Sequence, residues 1–539
     1  MGALISTLQT TARGLKSIFG IISSLTTEFN AALVRASLSP GLPIPTPTSP
    51  YWLHDPPFPE LTKIRSSEKE GGLPRVVDVA IIGSGIAGAA VARSLLHEQR
   101  RLRRRKNVVS EGSKEGGKVI VFEARDLCSG ATARNGGHIK PTPYESFSRF
   151  SKMFGRERAA ALTRFQTRHV ECLVGLCEEE GIGVAEAREV ETVDLYLDEE
   201  SFWRSCAKVD EARRWIPEVE TAVLNAKQAK KEVGVNDGVV GAIKYRAGAI
   251  WAYRFVVSIW KRLLDEFPDT LLVETNTPVL SLRASEGKAA GFPYAIETPR
   301  GTVLARHVVH ATNAFASHLV PGLRLKITGV RGHMSAQRPG DKFPHSEGKR
   351  SWSVVYGGGF DYVSQRPSAP DHHAGDVMLG GGFMRSLKQG VDQAGLYDDG
   401  TKLDPLSVAH IAGIFPSIFS PNWGPGSHVK DVWTGILGMT GDSLPLVGRL
   451  DERLTGRKIK DTTSRHGEWI AAGYSGEGMV WAWLCGTALG IMVSGTEKEH
   501  LEEVPGRPGG KLADWLPREL LISPSRLRSA DFSNLTDEV

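Results

Sequence analysis

Leu4, Leu8, Leu15, Phe19, Ile22, Phe29 and Leu33 recur at helical spacing and give residues 1–36 one apolar face. Prolines from Pro40 through Pro59 then forbid helix, so residues 37–75 read as an extended arm that Tyr51, Trp52 and Leu53 could pin to a surface. The pattern changes at Val76. Val76-Val77-Asp78-Val79-Ala80-Ile81-Ile82 is a short apolar run rich in β-branched residues and predicts a buried parallel strand. A glycine turn and a helix over 89–96 follow. Residues 97–118 carry Arg100-Arg101-Leu102-Arg103-Arg104-Arg105-Lys106 and read as a solvated insertion. A second strand over 118–122 ends at Glu123. The spacing predicts a helix over 149–180, with Leu162, Phe165, His169, Leu173 and Leu176 on one side and His169 as a packed core residue.

Between 185 and 430 short strand-like runs alternate with loops, including 271–273, 278–282, 303–309 and 377–379. A last strand over 469–472 leads into Gly473-Tyr474-Ser475-Gly476-Glu477-Gly478 and an apolar helix over 479–493. The mixture predicts an α/β chain with a nucleotide-binding domain in separated segments (76–148, 230–325 and 430–500). A second domain falls between them (149–229 and 326–429), and 501–539 form a C-terminal tail.

Charge and cysteine content narrow the setting. With 66 basic and 61 acidic residues the net charge is +5, too even a balance to point to nucleic acid. Cys128, Cys172, Cys177, Cys206 and Cys485 form neither a disulfide framework nor a zinc spacing, which points to a reduced, cytoplasmic compartment. No apolar run is long enough to predict a spanning helix. The apolar face of residues 1–36 carries Arg13, Lys16 and Arg35 and begins Met-Gly-Ala-Leu-Ile-Ser. Three readings stay open for it: a helix docked on the body, an anchor at a membrane surface, and a mitochondrial transit segment. Asp371-His372-His373 reads as a polar hairpin loop, and no metal site is expected.

The chemistry starts at Gly83-Ser84-Gly85-Ile86-Ala87-Gly88. In this G-x-G-x-x-G turn Gly83 permits the tight bend. Gly85 lets backbone approach a diphosphate, and Gly88 lets the helix lie close to the strand. The helix N-terminus directs its free N–H groups at the phosphates. A structural turn could also use these glycines, but here a strand precedes them, a helix follows, and Glu123 closes a second strand where a ribose would be bound. Glu123 lies later than the usual spacing because of the charged insertion.

Beyond Glu123 the chain reads Ala124-Arg125-Asp126-Leu127-Cys128-Ser129-Gly130-Ala131-Thr132-Ala133-Arg134-Asn135-Gly136-Gly137-His138, small and glycine-rich, as close approach to a flat polar ligand requires. With the first turn and the Gly473–Gly478 tail, this stretch resembles the D-amino-acid oxidase superfamily of FAD-dependent oxidoreductases. The nearest pattern is the Arg-Asn-Gly-Gly-His branch that includes glycine, sarcosine and γ-glutamylputrescine-type oxidases. The Pro-rich Tyr-Trp-Leu arm resembles fungal members. His310-Ala311-Thr312-Asn313-Ala314, Val330-Arg331-Gly332-His333 and the segment from Trp433 to Pro445 also resemble family segments. The resemblance implies a Rossmann-like FAD-binding domain of the GR2 flavoprotein type, interleaved with an antiparallel-sheet substrate domain.

The resemblance also implies which residues hold FAD. They are Gly83, Ser84, Gly85, Ile86, Ala87 and Gly88; Glu123, Ala124 and Arg125; Ser129, Gly130, Ala131, Thr132, Arg134, Asn135, Gly136 and Gly137; Val279; Ala311, Thr312 and Asn313; Gly435; and Gly473, Tyr474, Ser475, Gly476, Glu477, Gly478 and Met479. Relatives that attach the flavin covalently use a cysteine where this chain has Gly435, or a histidine where it has Arg134. A non-covalent FAD is therefore implied, with His138 as the one nearby histidine.

The implied reaction is oxidation of the C–N bond of a small amine or amino acid, with O2 reoxidising the flavin to H2O2. His138, Tyr253 and Arg331 are the candidate catalytic residues: His138 as a base or a hydrogen-bond partner of the flavin, and Arg331, Arg254 or Arg366 as a clamp for a substrate carboxylate. Two other classes stay open: a dehydrogenase that passes electrons to a quinone or protein, and a non-catalytic FAD-binding protein.

Overall fold

The computed structural model of the chain describes residues 27–105, 117–285, 289, 291–368, 375–400, 402–459 and 465–534. Most of the apolar N-terminal face and the Asp371-His372-His373 triplet lie outside the described residues.

Two sheets carry the fold. The first has eight strands. Its centre is parallel: Gly467–Ala472, Gly301–His310, Val76–Ile82, Val119–Phe122 and Leu271–Glu274 lie side by side in that order. Leu446–Arg449 closes one edge antiparallel, and the hairpin of Ser281–Ala284 and Tyr294–Thr298 pairs with the first half of Gly301–His310. The central strands are buried on both faces, as their near-continuous apolar runs predict. One face packs on the helices Ile86–Arg105, Ala252–Glu266 and Ala482–Ser494, and the other on the hairpin and Val279.

The second sheet has nine strands and is mostly antiparallel. Its order runs His428–Met439, Thr328–Arg338, Val377–Gly381, Gly359–Gln365, Arg350–Tyr356, Arg188–Tyr196, Gly241–Ala249 and His138–Ile139. Side-chain alternation gives it two faces. Val193, Leu195, Trp352, Val354 and Val363 point outward to Phe415 and Phe419 of the helix Pro405–Phe419. Tyr196, Tyr245, Met334, Met378 and Trp433 point inward and share their core with the first sheet.

Three expectations change. Gly241–Ala249 and His428–Met439 fall in or across the ranges read as the nucleotide-binding domain, yet both belong to the second sheet. The reason is long-range pairing: Gly241–Ala249 runs antiparallel to Arg188–Tyr196 along its whole length. The first helix reaches Arg105 instead of stopping at 96, because its arginines are neutralised: Arg101 pairs with Glu98 and Glu499, and Arg105 with Glu499. Cations in the last turn also suit the helix dipole. The expected helix over 149–180 is two helices, Pro143–Phe154 and Arg156–Glu179, broken at Gly155 with φ +79°. His169 is buried in the second and hydrogen-bonds the Phe165 carbonyl.

Residues 27–37 are helical and docked. Ala32 and Ala36 are buried against Val330, Ala394 and Phe532, and Arg35 donates to the carbonyls of Ala394 and Val391. Among the described residues no helix is long and apolar enough to cross a membrane.

The outer core gives a stability test. Trp352 packs edge-on against Phe343, Phe415 and Phe419. Trp352→Ala is expected to cost about 3–5 kcal/mol in denaturant unfolding, while the flavin content of the folded protein stays unchanged, because the ring faces away from the glycine turn.

Candidate active site

The turn after Val76–Ile82 is built by close backbone approach. Gly83 has φ +107°, and a Cβ there would lie 2.6 Å from the Ala311 carbonyl oxygen. A Cβ at Gly88 would lie 2.0 Å from the Gly83 carbonyl oxygen. Neither site admits a side chain. At Gly85 a Cβ would meet Thr132 Oγ1 at 2.9 Å, and that hydroxyl accepts from Ile86 N at the start of the helix (3.0 Å). From behind, Trp260 Nε1 donates to the Ser84 carbonyl (2.8 Å).

Glu123 ends the adjacent strand. Its Oε2 accepts from Ser84 Oγ (2.6 Å) and Ser84 N (3.1 Å), and its Oε1 from Arg125 N (3.0 Å). Ser84 Oγ in turn accepts from Cys128 N (2.8 Å). The turn, Glu123 and the start of the glycine-rich segment thus form one hydrogen-bonded unit.

The far end of the segment meets the second sheet. Trp433 Nε1 donates to the Arg134 carbonyl (2.9 Å), Ser364 Oγ donates to the Gly136 carbonyl, and the Tyr362 ring lies where a Gly136 side chain would be. His138 enters the sheet as a strand residue opposite Ala249. Its Nε2 shares a hydrogen bond with Ser351 Oγ (2.9 Å), and Nδ1 is buried without a partner. Burial, and then the neighbouring Lys140, hold the imidazole well below its ordinary pKa, so it is neutral.

The C-terminal glycine segment reaches the same place. Asn313, at φ +46°, accepts from Gly473 N through Oδ1 (2.9 Å), and Thr440 N donates to Ser475 Oγ (3.1 Å). Asn135 Nδ2 lies 3.7 Å from Met479 Sδ. Glu477 turns its carboxylate to Arg149 (3.2 Å), Gln166 (3.1 Å) and Trp481 Nε1 (3.3 Å).

A FAD fits these residues. The glycines leave bare backbone at the turn, and two polar atoms of the expected binding set, Ser129 Oγ and Thr312 Oγ1, are buried without a partner among the described residues. Such orphaned atoms are rare in native proteins unless something else satisfies them.

A scan against protein families matches residues 78–490 to the DAO family, described as FAD dependent oxidoreductase. The chain belongs to that family. The FAD dependent oxidoreductases use FAD, and FAD is the cofactor here. No curated protein matches the sequence. Solved structures of similar fold include glycine oxidase from Geobacillus kaustophilus, at 19% identity and TM-score 0.56, with 79% of this chain and 96% of that chain covered. L-proline dehydrogenase from P. horikoshii is 20% identical with TM-score 0.55, covering 80% and 96%. Iminodiacetate oxidase from Chelativorans sp. BNC1 is 17% identical with TM-score 0.54, covering 79% and 97%.

Within this family fold, several expected site residues are engaged by the protein itself. Arg134 donates to the carbonyls of Ser129 (3.1 Å), Thr434 (2.8 Å) and Thr48 (2.7 Å) and lies 3.4 Å from Asp399. It ties the proline-rich arm to the second sheet. Arg125 Nη1 donates to both carboxylate oxygens of Asp399 at 3.0 Å. Arg331 alternates with Val330 and Gly332 and so points away from the segment, where its Nε donates to Gln393 (2.9 Å). Arg254 pairs with Asp55 over the Trp251 ring, and Arg366 with Glu186 (2.6 Å). Tyr253 lies on the helix that backs the turn, and burial, then Cys128, push its hydroxyl up to about 12.

Sequence reasoning missed the residues that close the site. Thr48 and Trp52 of the arm reach it: Trp52 donates to the Asn135 carbonyl, and Trp251 donates to the Trp52 carbonyl (2.9 Å). A polar cluster of Lys140, Asp194, Tyr144, Tyr196 and Tyr245 lies just beyond His138. Trp52 carried a signal as a residue able to pin the arm, and Lys140 lies two residues past the motif.

Gly88→Ala is expected to abolish both FAD retention and stable folding, since the clash is with backbone. Gly130→Ala meets nothing within 4 Å in the protein. If the segment lies against FAD there, this variant keeps its circular dichroism spectrum and loses FAD affinity by about tenfold or more, read by flavin absorbance on dilution.

Proposed function

We propose that the protein oxidises the C–N bond of a small amine or amino acid and returns the electrons to O2 as H2O2. The observation that carries this reading is the route of the chain. Nine residues run from Thr132, against the phosphate-type turn, to Lys140, in a polar cluster on the inner face of the second sheet. A nucleotide site and a polar substrate site are thereby joined by one extended segment.

Bound FAD supplies the hydride acceptor. The chain's own residues do the rest. Gly83, Gly85 and Gly88 with the N–H groups of the following helix hold the diphosphate, and Glu123 the ribose. Gly473–Met479 and the segment from Asn135 to Gly137 hold the flavin end without a covalent bond. Tyr362, Met334 and Trp433 keep water away from the segment, which strengthens every polar contact formed there. His138 acts by hydrogen bonding. Because it is held neutral far below neutral pH, it positions the reacting groups and does not store the substrate proton. Arg331 has no part in this reading.

Purified protein is expected to be yellow and to be bleached anaerobically by an amine substrate, with one H2O2 released per turnover in air. Bleaching without peroxide would move the electrons to another acceptor, and no bleaching by any amine or amino acid would sink the reading. His138→Asn is expected to lower kcat about 10- to 100-fold while leaving the apparent pKa values of kcat/KM in place; loss of one of them would restore His138 as the base.

A further inference from the structure

The inner face of the second sheet places five polar side chains around one carboxylate. Asp194 is 1% exposed. Its Oδ1 faces Lys140 Nζ, and its Oδ2 accepts from the hydroxyls of Tyr144 (2.5 Å) and Tyr245 (2.7 Å). The Tyr144 and Tyr196 hydroxyls are 2.8 Å apart. Lys140 also donates to Ser353, and Ser351, two residues earlier on the same strand, holds His138. Burial, then the Asp194 charge, hold Tyr144 and Tyr245 well above ordinary tyrosine, so both stay protonated.

The cluster is charge-balanced: one buried cation faces one buried anion. The other cations near the segment are also committed. Arg149 faces Glu477, Arg366 faces Glu186, and Arg125 and Arg134 share Asp399, Arg134 giving its remaining donors to carbonyls. A substrate carboxylate entering this face would find no unpaired cation among these residues. A carboxylate on the remaining N–H of Lys140 would set a second negative charge beside the buried Asp194 with one cation between them, an arrangement that is strongly unfavourable. What the cluster still offers is one N–H of Lys140 and the free valence of the Ser353 hydroxyl, a set that suits an uncharged polar group.

We propose that the Lys140–Asp194–tyrosine cluster is the substrate-recognition subsite and that it selects amines without a free carboxylate over the corresponding amino acids. The proposal rests on the amine-oxidising reading above and narrows its substrate class. Lys140 and Asp194 act as a matched pair: neutralising either one leaves a net charge that changes which substrates are accepted.

The test uses the full-length holoenzyme and matched pairs that differ by one carboxylate: pentylamine with norleucine, and phenylethylamine with phenylalanine. In the wild type the amine should reduce the flavin with at least about tenfold higher efficiency than its amino acid. Asp194→Asn leaves Lys140 uncompensated and should shift that ratio by about tenfold or more towards the amino acid. The double variant Lys140→Met/Asp194→Asn removes both charges and should return the ratio to the amine. A wild type that prefers the amino acids overturns the proposal. So does a set of variants that lose stability while the ratio stays fixed, which is the behaviour of a purely structural cluster. A second readout separates this from failure of the oxidase reading, because it needs no turnover: the shift of the flavin absorbance bands on adding hexanamide or hexanoate. Hexanamide should shift them in the wild type and hexanoate only in Asp194→Asn. Tighter binding of hexanoate by the wild type, or no shift with either ligand in any variant, overturns the proposal even if some other compound reduces the flavin.

Discussion

The Gly83 carbonyl oxygen occupies the space where a side chain at residue 88 would begin, and the Ala311 carbonyl does the same at residue 83. Three stretches of backbone meet at this point: the strand Val76–Ile82, the helix that follows it, and the end of Gly301–His310. Their approach sets the distance between sheet and helix, and it fixes the direction of the first N–H groups of the helix, that of Ile86 towards Thr132. Glu123, Ser84 and Thr132 are then hydrogen-bonded to the turn, so the start of the glycine-rich segment is fixed by the same contact. The nucleotide end of the protein follows from one steric constraint.

The second sheet depends on that constraint through the segment from Ser129 to Lys140. The segment leaves the turn as irregular backbone and ends as a strand of the other sheet. It contributes small residues where the sheet presses on it: Tyr362 fills the space at Gly136, and the Ile250 carbonyl that at Gly137. Arg134 fastens the middle. Its guanidinium draws together the arm, the strand His428–Met439 and the Asp399 loop, and burial, with the Asp399 charge opposing, holds its pKa at about 10, low for an arginine but still protonated at neutral pH. The segment needs this fastening because a glycine-rich chain gives up much conformational freedom on ordering.

Function divides along the same line. The chemistry of electron transfer belongs to FAD, and the solved structures of similar fold bear the names of oxidases and of a dehydrogenase. The inner face of the second sheet pairs its charges within the protein, Lys140 with Asp194. The nucleotide turn is local in the chain, whereas the side-chain pairs of the second sheet join distant strands.

The sequence by itself determined the turn and the acid that follows it, and its resemblance to a known family implied the cofactor. The turn is set by local backbone geometry: a glycine is required where no Cβ fits, and strand, turn and helix are neighbours in the chain. It also determined where the central strands lie, because strands buried on both faces are apolar throughout. It did not reveal that Gly241–Ala249 belongs to the second sheet, since strand pairing joins residues through backbone groups common to all residues. Nor could it pair Lys140 with Asp194, 54 residues away, or Arg134 with Thr48, 86 away. An arginine or lysine reads the same whether it is free to hold a substrate or already satisfied. Only the tertiary structure decides which, because the partner that neutralises it arrives from a distant strand.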